Sequence, residues 1–392
     1  TSTLTADSTS TETFTVSLQD AVGHPLAGQT VVFTLDPASS GTLSSVTGNP
    51  DGTYDVTLTA GADITSATLS FEVNALGTST NTAAIDFIAG APDSTSSTLT
   101  AAPNPLVADG VSEARVEIIL EDAYGHRLSG QNVVIEAVGP CVLLGNVADE
   151  GNGVYSQQLQ SATQVSLGST LVRFSVDGAQ FDDNEVVTLV PGPVDLERTT
   201  ISASPTVIAA DGTSQSTVTV TVRDANDNLI PGSDVEITST AGTVSVVAEN
   251  TPAEHTATLT SSTVAGDAVL NYTVDGSLGT QTATVVFQAG APSNPRSSIA
   301  AEIDQLPPDG SSRTAVVVTV RDEFDNGIAD LASDIEVFTT LGTIDGSVVE
   351  DVNNAGRYTV DLIAATVEGI ATLTYRVEGL PFDDTDEVEF TS

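Results

Sequence analysis

Apolar and polar residues alternate with a period of two in one stretch after another of this chain. Phe14, Val16 and Leu18 are interleaved with Thr13, Thr15 and Ser17, and the arrangement returns at Val116, Ile118 and Leu120, at Val218, Val220 and Val222, and at Val316, Val318 and Val320. Such alternation marks a strand with one buried and one wet face. Each run leads in the same register into an aspartate: Asp20, Asp122, Asp224 and Asp322, separated by 102, 102 and 98 residues. The residues after each aspartate recur too. Asp20-Ala-Val-Gly-His-Pro-Leu-Ala-Gly-Gln-Thr-Val-Val-Phe33 returns as Asp122-Ala-Tyr-Gly-His-Arg-Leu-Ser-Gly-Gln-Asn-Val-Val-Ile135, then with drift from Asp224 and more loosely from Asp322. A period of this size is a small domain, and the chain reads as four copies of one module.

The strand before each lead aspartate is strand B. Asp109-Gly, Asp211-Gly and Asp309-Gly lie 13 residues before it, as does Asp7, and are turn signals that close an A–B connection. Strand A carries Leu99, Ile201 and Ile299, each ten residues before that turn. In the first copy Leu4 is only three residues before Asp7, so strand A there is seven residues shorter, or the chain begins inside it. Strand C holds Val31, Phe33 and Leu35 and their counterparts. A Gly-x-Tyr step opens strand E at Tyr54, Tyr155 and Tyr358, with His255 in the tyrosine's place in the third copy. Strand F carries one central aromatic per copy, Phe71, Phe174, Tyr272 and Tyr375. Strand G ends each copy, and Gly90-Ala-Pro92, Gly192-Pro193 and Gly290-Ala-Pro292 come directly after it. Linkers this short, with a proline fixing one φ, predict a semi-rigid row.

No helical periodicity separates the strands. The pattern predicts an all-β chain of four tandem antiparallel β-sandwiches arranged as an elongated rod, with domains at 1–91, 92–193, 194–292 and 293–392.

Composition narrows the function. Aromatics are 4%, so the cores must be aliphatic, and the net charge is −43 with arginine as the sole strong base. A chain so acidic repels nucleic acid and anionic membranes. No apolar run approaches the length of a membrane span. One cysteine, Cys141, excludes an internal disulfide, and without lysine no Lys–Asn isopeptide crosslink can stiffen the modules. Neither a signal peptide nor a starting Met is present, so the sequence is taken as a mature chain or a segment of a longer one.

The pattern Val-x-Asp-x-x-Gly-x-Pro-Leu-x-Gly-x-x-Val-x-Phe, met here at Leu18 to Phe33, resembles the group 1 bacterial immunoglobulin-like domain of the intimin and invasin adhesins. The Asp-Gly turn 13 residues earlier and the Gly-x-Tyr step match as well. The fourth copy departs from it, with Leu331 and Ala332 where the motif has its glycine and two extra residues before strand C. The resemblance implies immunoglobulin-like sandwiches on a bacterial cell surface, serving as spacers that hold a binding tip away from an outer-membrane anchor. The tyrosine of the Gly-x-Tyr step is similar to the tyrosine corner of such sandwiches, its hydroxyl capping a nearby backbone group.

Catalysis finds little support. His24 and His126 occupy one loop position where the third copy has Asn228, which suits a turn residue better than a base, and His255 replaces a packing tyrosine. Cys141 stands in one copy only and reads as a small buried hydrophobe. No phosphate loop or zinc spacing appears, and the chain is read as non-enzymatic. Metal is the open candidate. Acidic runs Asp182-Asp-Asn-Glu185 and Asp383-Asp-Thr-Asp-Glu387 lie between strands F and G of the even copies, where the odd copies have Gly77-Thr-Ser-Thr and Gly279-Thr-Gln-Thr. The F–G and B–C loops should face the preceding module, and the A–B and E–F turns the next. Asp182, Asp183 and Glu185 are therefore expected near Asp7 and Asp63, and Asp383, Asp384 and Asp386 near Asp211 and Asp267. Carboxylates so gathered would call for an interdomain Ca²⁺; the rival is a solvated hairpin tip whose charge discourages edge pairing.

Three functions are expected on these grounds. The first is a stalk segment of an extracellular adhesin, partnered by other domains of the same surface assembly, with any host receptor outside this segment. The second is a subunit of a surface filament built by strand exchange through the short first strand A. The third is a ligand-binding module using the acidic F–G loops.

Overall fold

The structure, a computed structural model, describes residues 1–74 and 79–392. It falls into two compact units, Thr1–Gly192 and Pro193–Ser392, each holding two modules with a separate hydrophobic core. Strands dominate. Helical geometry among the described residues is confined to single 3₁₀ turns at Ala38–Ser40, Val165–Leu167 and Asn294–Arg296, and no helix is long and apolar enough to cross a membrane.

The second module shows the plan. One sheet runs D–E–B–A through Val142–Gly151, Val154–Gln160, Glu113–Ile119 and Thr98–Ala102, all antiparallel. The facing sheet joins C (Val133–Val138), F (Thr170–Val176) and G (Ala179–Val187). The chain crosses between sheets inside strand A. Its second half, A′ (Leu106–Val107), pairs in parallel with Leu189–Val190, which continue strand G. Modules three and four repeat the plan, with A in Thr200–Ser204 and Ser298–Ala301 and A′ in Val207–Ala209 and Gln305–Leu306.

The period-two pattern is why. Val116, Ile118 and Leu120 are fully buried, as are Val218, Val220 and Val222, so one face of strand B supplies the core while the other is wet. Leu99, Ile201 and Ile299 of strand A are 3%, 8% and 3% exposed and close one side of each core. The central aromatics of strand F fill the middle: Phe174, Tyr272 and Tyr375 are all at most 1% exposed.

Module one departs from this plan. Its only strand before B is Ser2–Thr5, and that strand takes the A′ position, in parallel with Ala83–Ile88 of strand G. Nothing among the described residues pairs with the outer edge of its strand B (Thr11–Ser17), whose sheet is B–E–D alone. Phe14 and Phe33 are consequently only half buried. They line, with Val16, Leu69 and Phe71, an open groove of about 150 Å³, on the side where the other modules seat Leu99, Ile201 or Ile299. Leu4 and the two residues between it and Asp7 belong to the A′ half of the strand.

Candidate functional site at the module junctions

The lead aspartates are built into the ends of strand B. In each copy one carboxylate oxygen accepts the backbone N–H groups two and four residues on, folding the B–C loop around the side chain. For Asp122 these are Tyr124 and His126, at 2.8 and 2.9 Å; for Asp322, Phe324 and Asn326, both at 2.9 Å; for Asp20, Val22 and His24; for Asp224, Asn226 and Asn228. Asp and Asn favour such loops because a short side chain can mimic a backbone turn.

The second oxygen reaches across the module boundary. Within the first unit, the N–H of linker residue Gly90 donates to Asp122 Oδ2 at 2.7 Å. Within the second unit, Gly290 N–H donates to Asp322 Oδ2 at 2.9 Å. Both aspartates are 1% exposed. A buried carboxylate is costly unless its lone pairs are filled, and four donors fill these. Burial alone would push the Asp122 carboxyl up; the Gly90 and His126 amides and the His126 ring outweigh it and hold it down at about 2. Asp322 is likewise lowered against its burial, chiefly by the Asn326 side chain and the Gly290 amide. Both stay ionised under ordinary conditions.

The residue four positions after the lead aspartate completes each junction. His126 Nδ1 lies 2.8 Å from Asp122 Oδ2, and its Nε2 lies 2.6 Å from the carbonyl oxygen of Ala62, in the E–F turn of module one. Asn326 does the same work with an amide. Its Nδ2 donates to Asp322 Oδ2 at 2.8 Å and to Thr263 O at 2.9 Å, and its Oδ1 accepts Ala265 N–H at 2.8 Å. The E–F turn therefore does face the next module's B–C loop in both units, as the strand order predicts. His126 is a junction residue rather than a mere turn former: its side chain is 14% exposed, against 78% for His24. The sequence signal was there, since one position alternates His and Asn, residues that share a polar reach of similar length.

The acidic F–G residues turn inward, to their own strand A. Asp183 Oδ2 accepts Leu99 N–H at 2.7 Å. In module four Asp384 Oδ2 accepts Ile299 N–H at 2.9 Å and Asp386 Oδ2 accepts Ala301 N–H at 2.7 Å. Asp383 exchanges two hydrogen bonds with Asn294, Asp182 N–H donates to Ser94 Oγ, and Glu185 accepts from Asn104. Strand A is an edge strand with one row of unpaired amides, and these carboxylates satisfy that row from the opposite sheet. In module three, Thr280 and Gln281 donate instead to the carbonyls of Leu196 and Glu197. Gly77 and Thr78, expected in the matching loop of module one, lie outside the described residues.

The A–B turn acids are equally engaged. Asp7 accepts Thr9 N–H, Ser10 N–H and the Ser10 hydroxyl, and Asp211 accepts Thr213 N–H, Ser214 N–H and the Ser214 hydroxyl. Asp63 stands beside His126 and acts on its charge, while Asp267 is an exposed residue at the start of strand F. Among the described residues no three His, Cys, Asp or Glu side chains gather where they could hold a metal ion. The interdomain carboxylate clusters expected around a Ca²⁺ are thus not assembled: backbone amides and hydroxyls already take up most of these oxygens.

The tyrosine corners form as expected. Tyr54 OH accepts Gln29 N–H and donates to Leu26 O; Tyr155 and Tyr358 repeat this with Gln131 and Leu128, and with Leu331 and Ile328. His255 is 4% exposed, and its Nε2 has no hydrogen-bond partner among the described residues.

The family description "invasin, domain 3" matches the chain four times, over residues 1–90, 93–192, 195–290 and 293–392. The inverse autotransporter adhesin YeeJ of Escherichia coli K12 is 25% identical over 340 residues, covering 84% of this chain and 14% of that protein. The chain therefore spans a small part of that relative's length. The crystal structure of invasin, a bacterial integrin-binding protein, superposes with a TM-score of 0.52 at 22% identity, covering 99% of this chain and 77% of that one. The Escherichia coli adhesin FdeC gives 0.48 at 21% identity, covering 78% and 100%.

Proposed function

We propose a function from one premise: this chain belongs to the invasin domain 3 family, which it contains in four tandem copies. It is a segment of a bacterial cell-surface adhesin, and it works there as a non-enzymatic extender that holds a distal binding region away from the cell. The observation that carries the reading is the buried aspartate at each described junction. Asp122 and Asp322 each spend one carboxylate oxygen on their own loop and the other on the linker of the module before. A side chain used in this way fixes one module on the next. Integrin binding is a property of invasin; in the protein to which this segment belongs, receptor contact is assigned to parts outside it.

The test is to place the chain between an outer-membrane anchor and a tip of known ligand, then measure capture of ligand-bearing beads by encapsulated cells. Capture should rise from no copy to one copy to two copies in series, with tip affinity in solution unchanged. Capture independent of copy number would sink the reading. So would binding of the isolated chain to receptor-bearing cells, which would favour the acidic F–G loops as a ligand site.

Module one favours a second reading, strand exchange between chains. The unpaired edge of Thr11–Ser17 and the apolar groove beside it match the seat that strand A fills in the other modules. Sedimentation of the full chain over a hundredfold concentration range separates the readings. Association that ends when that edge is filled from within supports exchange; a monomer throughout removes it.

A further inference from the structure

The junctions at Asp122 and Asp322 solve one geometric problem with different chemistry. Each needs a group that donates to two acceptors at once: the oxygen of a buried ionised aspartate and a backbone carbonyl of the preceding module. The amide of Asn326 carries two N–H donors on one nitrogen and serves both at any pH. An imidazole has two ring nitrogens but carries a hydrogen on both only when protonated. Both partners of His126 are acceptors, a carboxylate at 2.8 Å and a carbonyl at 2.6 Å. The neutral ring, in either tautomer, can satisfy one of them and sets its bare nitrogen lone pair against the other.

We propose that His126 makes the junction between modules one and two a protonation-dependent latch, closed on the E–F turn when the ring is doubly protonated and released when it is neutral. The second unit, built on Asn326, has no such switch.

The surroundings of the ring fit the closed form. Two carboxylates act on it, Asp122 from its own loop and Asp63 from the turn of module one. Burial works against the charge, but the hydrogen bonds to Asp122 and Ala62 and the fields of the two aspartates prevail, so the imidazolium is favoured beyond its ordinary range. A folded-state value raised above the unfolded one gives stabilisation that is complete below about pH 6.5 and is lost as pH rises through the folded value. The latch therefore closes on the acid side and opens on the alkaline side. Opening leaves the Asp122–Gly90 contact in place, so the modules stay linked while the turn is freed.

Three histidines in the whole chain make the test direct. Histidine-selective nitrogen NMR on the full chain should show both His126 nitrogens protonated at pH 6 and a midpoint above about 6.5. Spin labels at exposed Thr13 and Gln158, with Cys141→Ala, should give a narrow distance distribution at pH 5.5 that broadens by pH 8.5. His126→Asn, which copies the other junction, should keep it narrow at both. Asp63→Asn should lower the midpoint and move the broadening with it, without requiring any change at His126 itself. A neutral His126 at pH 6, or a distribution that does not respond while His126 titrates, overturns the proposal.

Discussion

The Gly-x-Tyr corner shows how much one hydroxyl can matter in these modules. Three tyrosines bridge an amide and a carbonyl of the B–C loop, whereas His255 is buried in the same place and its Nε2 finds no hydrogen-bond partner among the described residues. His255→Tyr should therefore stabilise module three by about 1 kcal/mol, since the hydroxyl offers the B–C loop the bridge made in the other modules and one orphaned nitrogen is removed; Ile230 O at present has only the Ser233 hydroxyl at 3.5 Å. Thermal unfolding of the full chain would show this as a rise confined to one transition. The tyrosine's role was legible in the sequence because the Gly-x-Tyr spacing recurs and its partners are local. The second duty of Asp122 and Asp322 was not. Their recurrence made them the organising positions, but a bond to a glycine 32 residues earlier leaves no periodicity to read; only folding brings the linker under the loop.

Strand A is where the copies differ most as elements. Its alternation and the spacing from Leu99 to the Asp109 turn were readable, and so was the shortfall in module one. Which half of the strand would survive was not readable: Ser2–Thr5 has the sequence of an A strand but pairs with strand G as A′ does. Inserting Ala-Pro-Asn-Pro-Leu-Val-Ala between Ala6 and Asp7 restores the spacing of module two. It should seat Leu4 in the groove beside Phe14 and Phe33 and stabilise module one by about 1.5–3 kcal/mol, the value of burying one leucine. Amide exchange along Thr11–Ser17 should slow by a matching factor. No slowing would mean that the groove is filled in some other way. The acidic loops left two readings open for a related reason. A run of carboxylates between two strands reads equally as a cation site or as acceptors for backbone amides, and the sequence does not display the strand A amides that Asp183, Asp384 and Asp386 accept.

The A–B turns add a pH response at the same scale. Hydrogen bonds from Ser10 and Thr9 hold the Asp7 carboxyl down at about 2. At Asp109 burial pushes the carboxyl up, but bonds from Ser112, Val111 and Ser161 outweigh it and also hold it at about 2. Asp211 and Asp309 are held below the carboxylate range by the same turn geometry. These values lie below the unfolded one, so the turns contribute stability that is complete above about pH 4 and is lost as pH falls toward 2. Melting temperature should be level from there to about pH 6.5, where His126 begins to titrate, and should fall as pH drops toward 2. Exchanging the four aspartates for alanine should lower the plateau and flatten the fall.

For the molecule as a whole, the four-copy plan and the all-β fold were written in the period of the lead aspartates, and the net charge of −43 is the ground for expecting it to repel nucleic acid and anionic membranes. What the acidity does for the fold is a different matter from its sum. Many of the carboxylates cap backbone amides, at A–B turns, B–C loops and strand A edges, so charge is spent on satisfying main chain. Melting at fixed ionic strength should accordingly be the same in Ca²⁺, Mg²⁺ and chelator. A Ca²⁺-specific rise that disappears with Asp182, Asp183, Asp383 and Asp384 changed to Asn would instead reveal a site that assembles only with the ion.

The parallel pairing of the first and last strands has a mechanical side. Where strand A′ runs alongside strand G in the same direction, tension applied to the two ends of a module drags the strands past each other along their length. Their hydrogen bonds are then loaded together in shear, a geometry that resists force far better than one in which bonds open singly. Module one has the longest such pairing described in the first unit, four residues from Ser2↔Ile85 to Thr5↔Ile88, against two at Leu106 and Val107. The module whose strand B edge is unpaired among the described residues thus carries the longer clamp of the first unit, and resistance to heat and resistance to pulling need not rank the modules alike.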